Sequence, residues 1–288
     1  MQPIFIIGAG RSGTNILRDT LTSFPGFITW PCDEINLIFK HGNRQMPHDE
    51  FSEAQARPEV KKYIQREFEK LQRGSTGERI IEKTCANSLR VPFLKSIFPE
   101  AHFIHIVRDG YDVTHSAMQR WTSSVEIDYL LKKLKFVPLL DIPFYSWSFI
   151  KNRVKQAVSR EKKLAQWGPI YKGMLSDVKS KTLAEVCALQ WAACLKKASE
   201  DLKQLPDEQV ISLRYEDFVS DPYKHVHNIL GKLGKSYADE RIKTAVASVS
   251  GRSVGKGRSK LDNKTIKNVA PIIDPIMAAY YDKATEIH

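Results

Sequence analysis

Residues 4–15 constrain this chain more than any other stretch. Ile4-Phe5-Ile6-Ile7 is a short, wholly apolar run, and a run apolar on both faces reads as a strand buried inside a parallel sheet. Gly8-Ala9-Gly10-Arg11-Ser12-Gly13-Thr14-Asn15 follows, and then a helical pattern over Ser12 to Ser23 with Ile16, Leu17 and Leu21 on its apolar face. A glycine turn between a strand and a helix lets backbone N–H groups and the positive end of the helix dipole converge on an anion. The spacing from Gly8 to Gly13 fits a Walker A frame. Thr14 and Asn15, however, stand where that frame needs a lysine and a magnesium-binding hydroxyl, and the cation sits earlier, at Arg11. No apolar strand ends in a free Asp that would hold magnesium. The loop therefore reads as a site for a phosphate group without metal and without a γ-phosphate. The plain alternative is a glycine turn that only packs a helix on a strand.

The alternation continues along the chain. Arg79-Ile80-Ile81-Glu82, His102 to Val107 and Gln209 to Leu213 read as further strands. Helical patterns cover Asp49 to Arg73, Leu89 to Phe98, Gly110 to Trp121, Leu183 to Leu205, Asp221 to Leu233 and Pro271 to Ile287. Strands separated by helices predict an α/β fold of the P-loop type, three layers deep, with a central parallel sheet flanked by helices. Residues 122–181 break the pattern, being apolar, aromatic and basic with Pro138, Pro143 and Pro169. No repeat or linker-like stretch divides the 288 residues, so 1–288 is read as a single domain with 122–181 as a helical or irregular cap insertion.

Charge narrows the choice of partner. Lys and Arg number 44 against 33 Asp and Glu, a net +11. The excess lies in two blocks: 13 basic and 5 acidic residues from Arg120 to Lys181, and 8 basic and 1 acidic from Arg241 to Lys267. Such blocks imply an anionic partner, whether nucleotide, acidic glycan, nucleic acid or membrane surface. In the second block, Gly251 to Lys260 interleaves glycine with cations, which suits backbone folded against phosphate. No apolar run approaches the roughly 20 residues of a membrane span. The N-terminal run lacks a basic flank and is too short for a signal peptide, which predicts a cytoplasmic protein. Cys32, Cys85, Cys187 and Cys194 show no CxxC or Cys/His spacing and read as reduced core thiols.

Two more groups point to the crevice beyond the strand ends, where doubly wound sheets bind ligands. Arg108 follows a strand in Val107-Arg108-Asp109-Gly110-Tyr111-Asp112-Val113-Thr114-His115-Ser116. Ser116 and Arg120 lie one turn apart on the next helix and share a face. An arginine with a hydroxyl makes a compact second phosphate site. Lys83, in Glu82-Lys83-Thr84, ends another strand and faces the same crevice as Arg11.

Together these residues resemble the sulfotransferase family that uses 3'-phosphoadenosine 5'-phosphosulfate (PAPS). Residues 4–23 resemble its 5'-phosphosulfate loop and residues 80–83 its second-strand lysine segment. Residues 103–120 resemble its 3'-phosphate segment, in which an Arg ends a strand and a Ser follows eight residues later. Gln190-Trp191, Leu213-Arg214-Tyr215-Glu216-Asp217-Phe218 with Asp221-Pro222, and Ser253 to Arg258 resemble later family segments, the last a glycine/basic loop that closes over the nucleotide. The resemblance implies an enzyme with PAPS as donor, 3',5'-bisphosphoadenosine (PAP) as product and no metal. It assigns Gly10, Arg11, Ser12, Gly13, Thr14 and Asn15 to the phosphosulfate, the amides of Ser12 to Asn15 holding the 5'-phosphate. It assigns Arg108, Ser116, Arg120, Tyr215, Lys256, Gly257 and Arg258 to the nucleotide, with Arg108, Ser116 and Arg258 on the 3'-phosphate. Arg11 and Lys83 face the sulfonate and the bridging oxygen.

In the cytosolic small-molecule branch a catalytic His follows the Lys-Thr pair; here Cys85 stands at that position. The tyrosylprotein and bacterial-type branches place a carboxylate base after the first helix, and Cys32-Asp33-Glu34 resembles that segment. Glu34 is the candidate base, Asp33 the second, with His41 and His48 behind them. The implied acceptor is a hydroxyl of a carbohydrate, lipid, metabolite or tyrosine, and the basic residues suit an acidic one. Trp121, Phe136, Phe144, Tyr145, Trp147, Phe149, Trp167 and Tyr171 are candidates to stack on it. Two other classes stay open. One is a P-loop nucleotide kinase using ATP and magnesium, against which the missing Walker residues count. The other is a nucleotide- or nucleic-acid-binding protein without turnover, whose basic patch is present but whose recognition motif is not.

Overall fold

The computed structural model describes residues 1–73, 79–122 and 167–282. Five strands, β1 (Ile4–Ile7), β2 (Phe27–Ile28), β3 (Arg79–Glu82), β4 (His102–Val107) and β5 (Val210–Arg214), form one parallel sheet in the order β2-β3-β1-β4-β5. Ile4 lies opposite both Ile81 and His102, and Phe103 opposite Val210. The helices are α1 (Thr14–Thr22), α2 (Asn36–Lys40), α3 (Pro58–Arg73), α4 (Val91–Ile97), α5 (Gly110–Thr122), α6 (Met174–Ser180), α7 (Leu183–Leu202), α8 (Tyr215–Ser220), α9 (Pro222–Lys232), α10 (Asp239–Val246), α11 (Lys256–Lys260) and α12 (Asn263–Ile276). This is the expected α/β architecture.

The unbroken apolar run of β1 now has its reason. Successive strand side chains point to opposite faces, and both faces are covered. Phe5 packs among Phe39, Phe68, Phe98 and Phe103, with ring centroids 5.7 to 6.4 Å away. Ile4 and Ile6 pack with Leu17, Leu21, Ile104 and Ile106 on the other side. The chain leaves β1 toward β2 and β3, then crosses to β4 and β5. The reversal leaves a crevice at the carboxyl end of β1, flanked by the ends of β3 and β4.

Several elements differ from the sequence reading. The helix expected from Asp49 begins at Pro58, a residue suited to the first helical position. Asp49 is buried instead, where it accepts from Lys40 at 3.1 Å and from the Ile170 amide at 2.8 Å. The chain is already helical at Tyr215, with Arg214 gripping Asp217 through two bonds of 2.8 and 2.9 Å. The last helix begins at Asn263, before the expected Pro271, because Asp262 caps it through the Thr265 amide at 2.8 Å. It continues through Pro271 and Pro275. Of the stretch 122–181 expected as a cap insertion, residues 123–166 lie outside the described residues, and α6 falls within the rest; residues 283–288 also lie outside them. No helix among the described residues is long and apolar enough to cross a membrane.

Candidate functional site

The loop after β1 turns through two left-handed residues, Arg11 and Gly13. Gly13 caps α1 with φ +89, a left-handed conformation that glycine adopts without strain. A Cβ there would also strike the Tyr215 ring at 2.3 Å. Arg11 has φ +74, the one non-glycine residue in this region among the described residues. The Ser12 amide donates to the Ala9 carbonyl at 3.1 Å. Of the amides of Ser12 to Asn15 expected on the 5'-phosphate, that of Ser12 closes the turn in the unliganded chain, and those of Thr14 and Asn15 lie in the first turn of α1.

A cleft of about 770 Å³ opens here, within the usual size range for small-ligand sites. Gly10, Arg11, Gly13, Thr14 and Asn15 line it from the loop, Lys83 and Cys85 from the end of β3, Arg108 from the end of β4, and Asp33 and Glu34 from the segment before α2. His115, Ser116, Gln119 and Arg120 contribute one face of α5. Tyr215, Ser253, Lys256 and Lys260 close the far wall, and Trp167 covers Gly10, where a Cβ would meet its ring at 2.9 Å.

The charges are arranged in two groups. In the first, Lys83 Nζ lies 3.4 Å from Glu34 Oε1, and the Cys85 amide donates to the same oxygen at 3.4 Å. The lysine side chain is 3% exposed and the glutamate 22%. Burial works against the ammonium, but the acidic groups around it, the Glu34 and Asp33 carboxylates among them, hold Lys83 above the ordinary lysine value. Burial, helped by the Glu34 charge, pushes the Cys85 thiol up to about 12. At neutral pH it stays protonated and is neither base nor nucleophile. Asp33 is taken by Arg18 at 3.2 Å. His41 stacks on Tyr63, with centroids 3.8 Å apart, and neither it nor His48 is among the residues lining the cleft.

The second group is an arginine cluster. Arg11 Nε donates to Ser116 Oγ at 2.9 Å, so two residues assigned to different phosphates meet directly. Burial and the neighbouring Arg120 and Arg108 charges push Arg11 below its usual value. Arg108 donates to the carbonyls of Arg11 (3.0 Å) and Ser253 (2.8 Å), lies 4.3 Å over the Tyr215 ring and faces Asp112 at 3.5 Å. Its Nε is buried without a partner. A buried unpaired donor costs about 1–3 kcal/mol, and Arg11 sits in the repulsive field of Arg108 and Arg120; an anion in the cleft would relieve both.

Supporting contacts explain other sequence signals. Trp191 Nε1 donates to the Arg108 carbonyl at 3.1 Å, and Glu216 accepts the Asp109 amide at 3.1 Å, so both segments fasten the end of β4. Asp109 caps α5 through the amides of Tyr111 and Asp112. Gly257 is buried against Tyr111 and Asp112. Arg258, expected on the 3'-phosphate, lies 3.9 Å over the Tyr111 ring in the unliganded chain, while Lys256 and Lys260 of the same turn line the cleft. Of the aromatic residues expected to meet an acceptor, Trp121 and Tyr171 are in the core and Trp167 lines the cleft. Phe136, Phe144, Tyr145, Trp147 and Phe149 lie outside the described residues.

A family model described as the sulfotransferase family matches residues 3–135 and 151–239. No curated protein matches the sequence. Among solved structures, the fold is similar to a sulfotransferase from Alicyclobacillus acidocaldarius, with TM-score 0.54, 16% identity, and 96% of this chain and 93% of that chain covered. It is also similar to the sulfotransferase domain from the curacin biosynthetic pathway, with TM-score 0.52, 16% identity and 96% of each chain covered. A third is mouse sulfotransferase SULT7A1 complexed with PAP, with TM-score 0.53, 15% identity, and 99% of this chain and 88% of that chain covered.

Proposed function

The chain belongs to the sulfotransferase family, and we propose that it moves the sulfuryl group of PAPS to an acceptor hydroxyl by in-line displacement, with Glu34 as base and without a metal. The observation that carries this reading is the convergence of Arg11, Lys83 and Glu34 with Arg108, Ser116 and Arg120 in one cleft. Of the solved structures of similar fold, the mouse protein is complexed with PAP. That nucleotide has two phosphates, which suits a cleft with two cationic groups. A kinase reading is not favoured: the family is a different one, and Thr14 and Asn15 replace the Walker lysine and hydroxyl.

Sulfuryl transfer, like phosphoryl transfer, is a matter of positioning and charge neutralisation. The Thr14 and Asn15 amides and the Thr14 hydroxyl hold the 5'-phosphate. Arg108, Ser116 and Arg120 hold the 3'-phosphate, with Lys256 and Lys260 at its rim. The acceptor oxygen attacks sulfur from the Glu34 side, its proton passes to the Glu34 carboxylate, and the bond from sulfur to the bridging oxygen breaks. Lys83 and Arg11 neutralise the charge that collects on that oxygen as PAP leaves. In the unliganded chain Lys83 holds Glu34; donor and acceptor together divide the pair, each partner taking its own end of the reaction. Trp167, at the cleft mouth, is the described aromatic that fits against the acceptor.

A thermal-shift titration with PAP, against ADP and ATP–magnesium, tests the nucleotide. A ligand at 100 times its Kd stabilises by roughly 2.7 kcal/mol. The expected result is a shift specific to the 3'-phosphate, followed by transfer from labelled PAPS that a chelator leaves unaffected. A larger shift with ATP–magnesium would overturn the reading.

A further inference from the structure

One buried charge beside the cleft has no role in that scheme. Asp112 lies in the first turn of α5 and is 2% exposed. Its Oδ1 accepts the Gly257 amide at 2.6 Å and its Oδ2 the Gly255 amide at 2.8 Å, while Arg108 Nη2 faces Oδ2 at 3.5 Å. Backbone meets backbone at the same point. A Cβ on Gly257 would come within 2.2 Å of the Tyr111 carbonyl carbon. Gly255, left-handed with φ +74, opens α11, whose Lys256 and Lys260 line the cleft. A carboxylate at this place opposes an anionic ligand, because like charges repel. Its field therefore does not account for its position; its contacts do.

We propose that Asp112 is the positioning residue of the nucleotide site, fastening the 255–260 turn to the first turn of α5 and so setting Lys256 and Lys260 where they meet a ligand phosphate. The proposal rests on the nucleotide reading of the cleft given above. Its consequence is a sign. Acting through its field alone, Asp112 would weaken an anionic nucleotide, and Asp112→Asn would tighten it. Acting as a fastening, the same change weakens binding, because one of the two amides then faces a carboxamide NH2 instead of an oxygen.

The test is calorimetric titration of the full chain with PAP, comparing wild type, Asp112→Asn, the pair Lys256→Ala with Lys260→Ala, and the triple variant. Asp112→Asn should raise Kd about tenfold, the loss of one charge-assisted contact. The triple variant should be no weaker than the lysine pair, since the loss passes through those lysines. Amide hydrogen exchange across 255–260 should quicken in nucleotide-free Asp112→Asn. Equal or tighter PAP binding in Asp112→Asn would overturn the proposal alone, as would a loss that adds in full to that of the lysine pair. A wild type that does not bind PAP would overturn the nucleotide reading and this proposal with it. If Asp112→Asn does not fold, Asp112→Glu keeps the charge but moves the oxygens off the Gly255 and Gly257 amides and carries the same tenfold expectation; unchanged PAP binding in it would overturn the proposal.

Discussion

Replacing Arg108 separates a phosphate ligand from a structural clasp. The guanidinium already donates to two backbone carbonyls, at 3.0 and 2.8 Å, and keeps a buried Nε without a partner. A 3'-phosphate that takes Nε and one terminal nitrogen gains two charge-assisted bonds. At roughly 1.5 kcal/mol each the pair contributes about 3 kcal/mol, or roughly 100-fold in Kd. Arg108→Ala should lose that factor for PAP. Adenosine 5'-monophosphate lacks only the 3'-phosphate and should lose less than about threefold. Arg108→Lys should fall between, since it keeps the charge that faces Asp112 but not the planar fork. Calorimetry with both nucleotides on all three proteins, below their melting temperatures, measures the ratio directly. If Arg108→Ala weakens both nucleotides equally, Arg108 acts only by holding Arg11 and Ser253 in place. If it weakens neither, the 3'-phosphate lies elsewhere.

The remaining predictions test the other walls of the cleft. Lys83→Ala should lower turnover by roughly 10²–10³-fold while leaving PAP affinity nearly unchanged; parallel losses in both would contradict a leaving-group role. Glu34→Gln keeps the oxygen that Lys83 and the Cys85 amide contact, so PAP binding should persist while turnover falls by at least about 100-fold; full turnover would pass the base to Asp33. Gly13→Ala should lower Tm and abolish PAP binding, because the new Cβ meets the Tyr215 ring at 2.3 Å in a left-handed backbone; an unchanged Tm would sink that account. Burial raises Glu82 to about 7 and lowers His105 to about 4. Glu82 therefore contributes stability below its ordinary 4.5 that is lost as pH rises to about 7, whereas His105 contributes above its ordinary 6.5 and loses it as pH falls to about 4. The two oppose each other between these limits, so Glu82→Gln should make denaturant stability rise with pH from about 4.5 to 6.5; a flat profile in that variant would refute the assignment.

What could be read from the chain in advance, and what could not, follows from how far each contact reaches. The first strand, its glycine loop and the helix after it are local. The apolar run has to be buried on both faces, and Gly13 has to be left-handed, whatever else the chain does. Arg11, Lys83 and Arg108 were readable as cations at strand ends because strand ends are themselves local. β2 escaped because two residues, Phe27 and Ile28, carry no period. The fate of Arg258 and the role of Asp112 escaped for another reason. Each depends on a partner more than a hundred residues away, Tyr111 in one case and Gly255 and Gly257 in the other.

The same distance explains why the electrostatics of the site are not the sum of its motifs. Each arginine taken singly is a plausible phosphate ligand. Burial first, and then the charges of Arg120 and Arg108, push Arg11 below its usual value. In the unliganded chain Arg11 donates to a hydroxyl, and Arg108 to two carbonyls with the Asp112 carboxylate 3.5 Å away. A dianionic ligand offsets the repulsion between the arginines. The stabilisation by PAP should accordingly fall when Arg120, which lines the cleft and whose charge acts on Arg11, is replaced by neutral Gln. It should fall by less than in Arg108→Ala, because field is lost there without a buried donor. A thermal shift with PAP that is larger in Arg120→Gln than in wild type would show that the repulsion opposes the ligand rather than awaiting it.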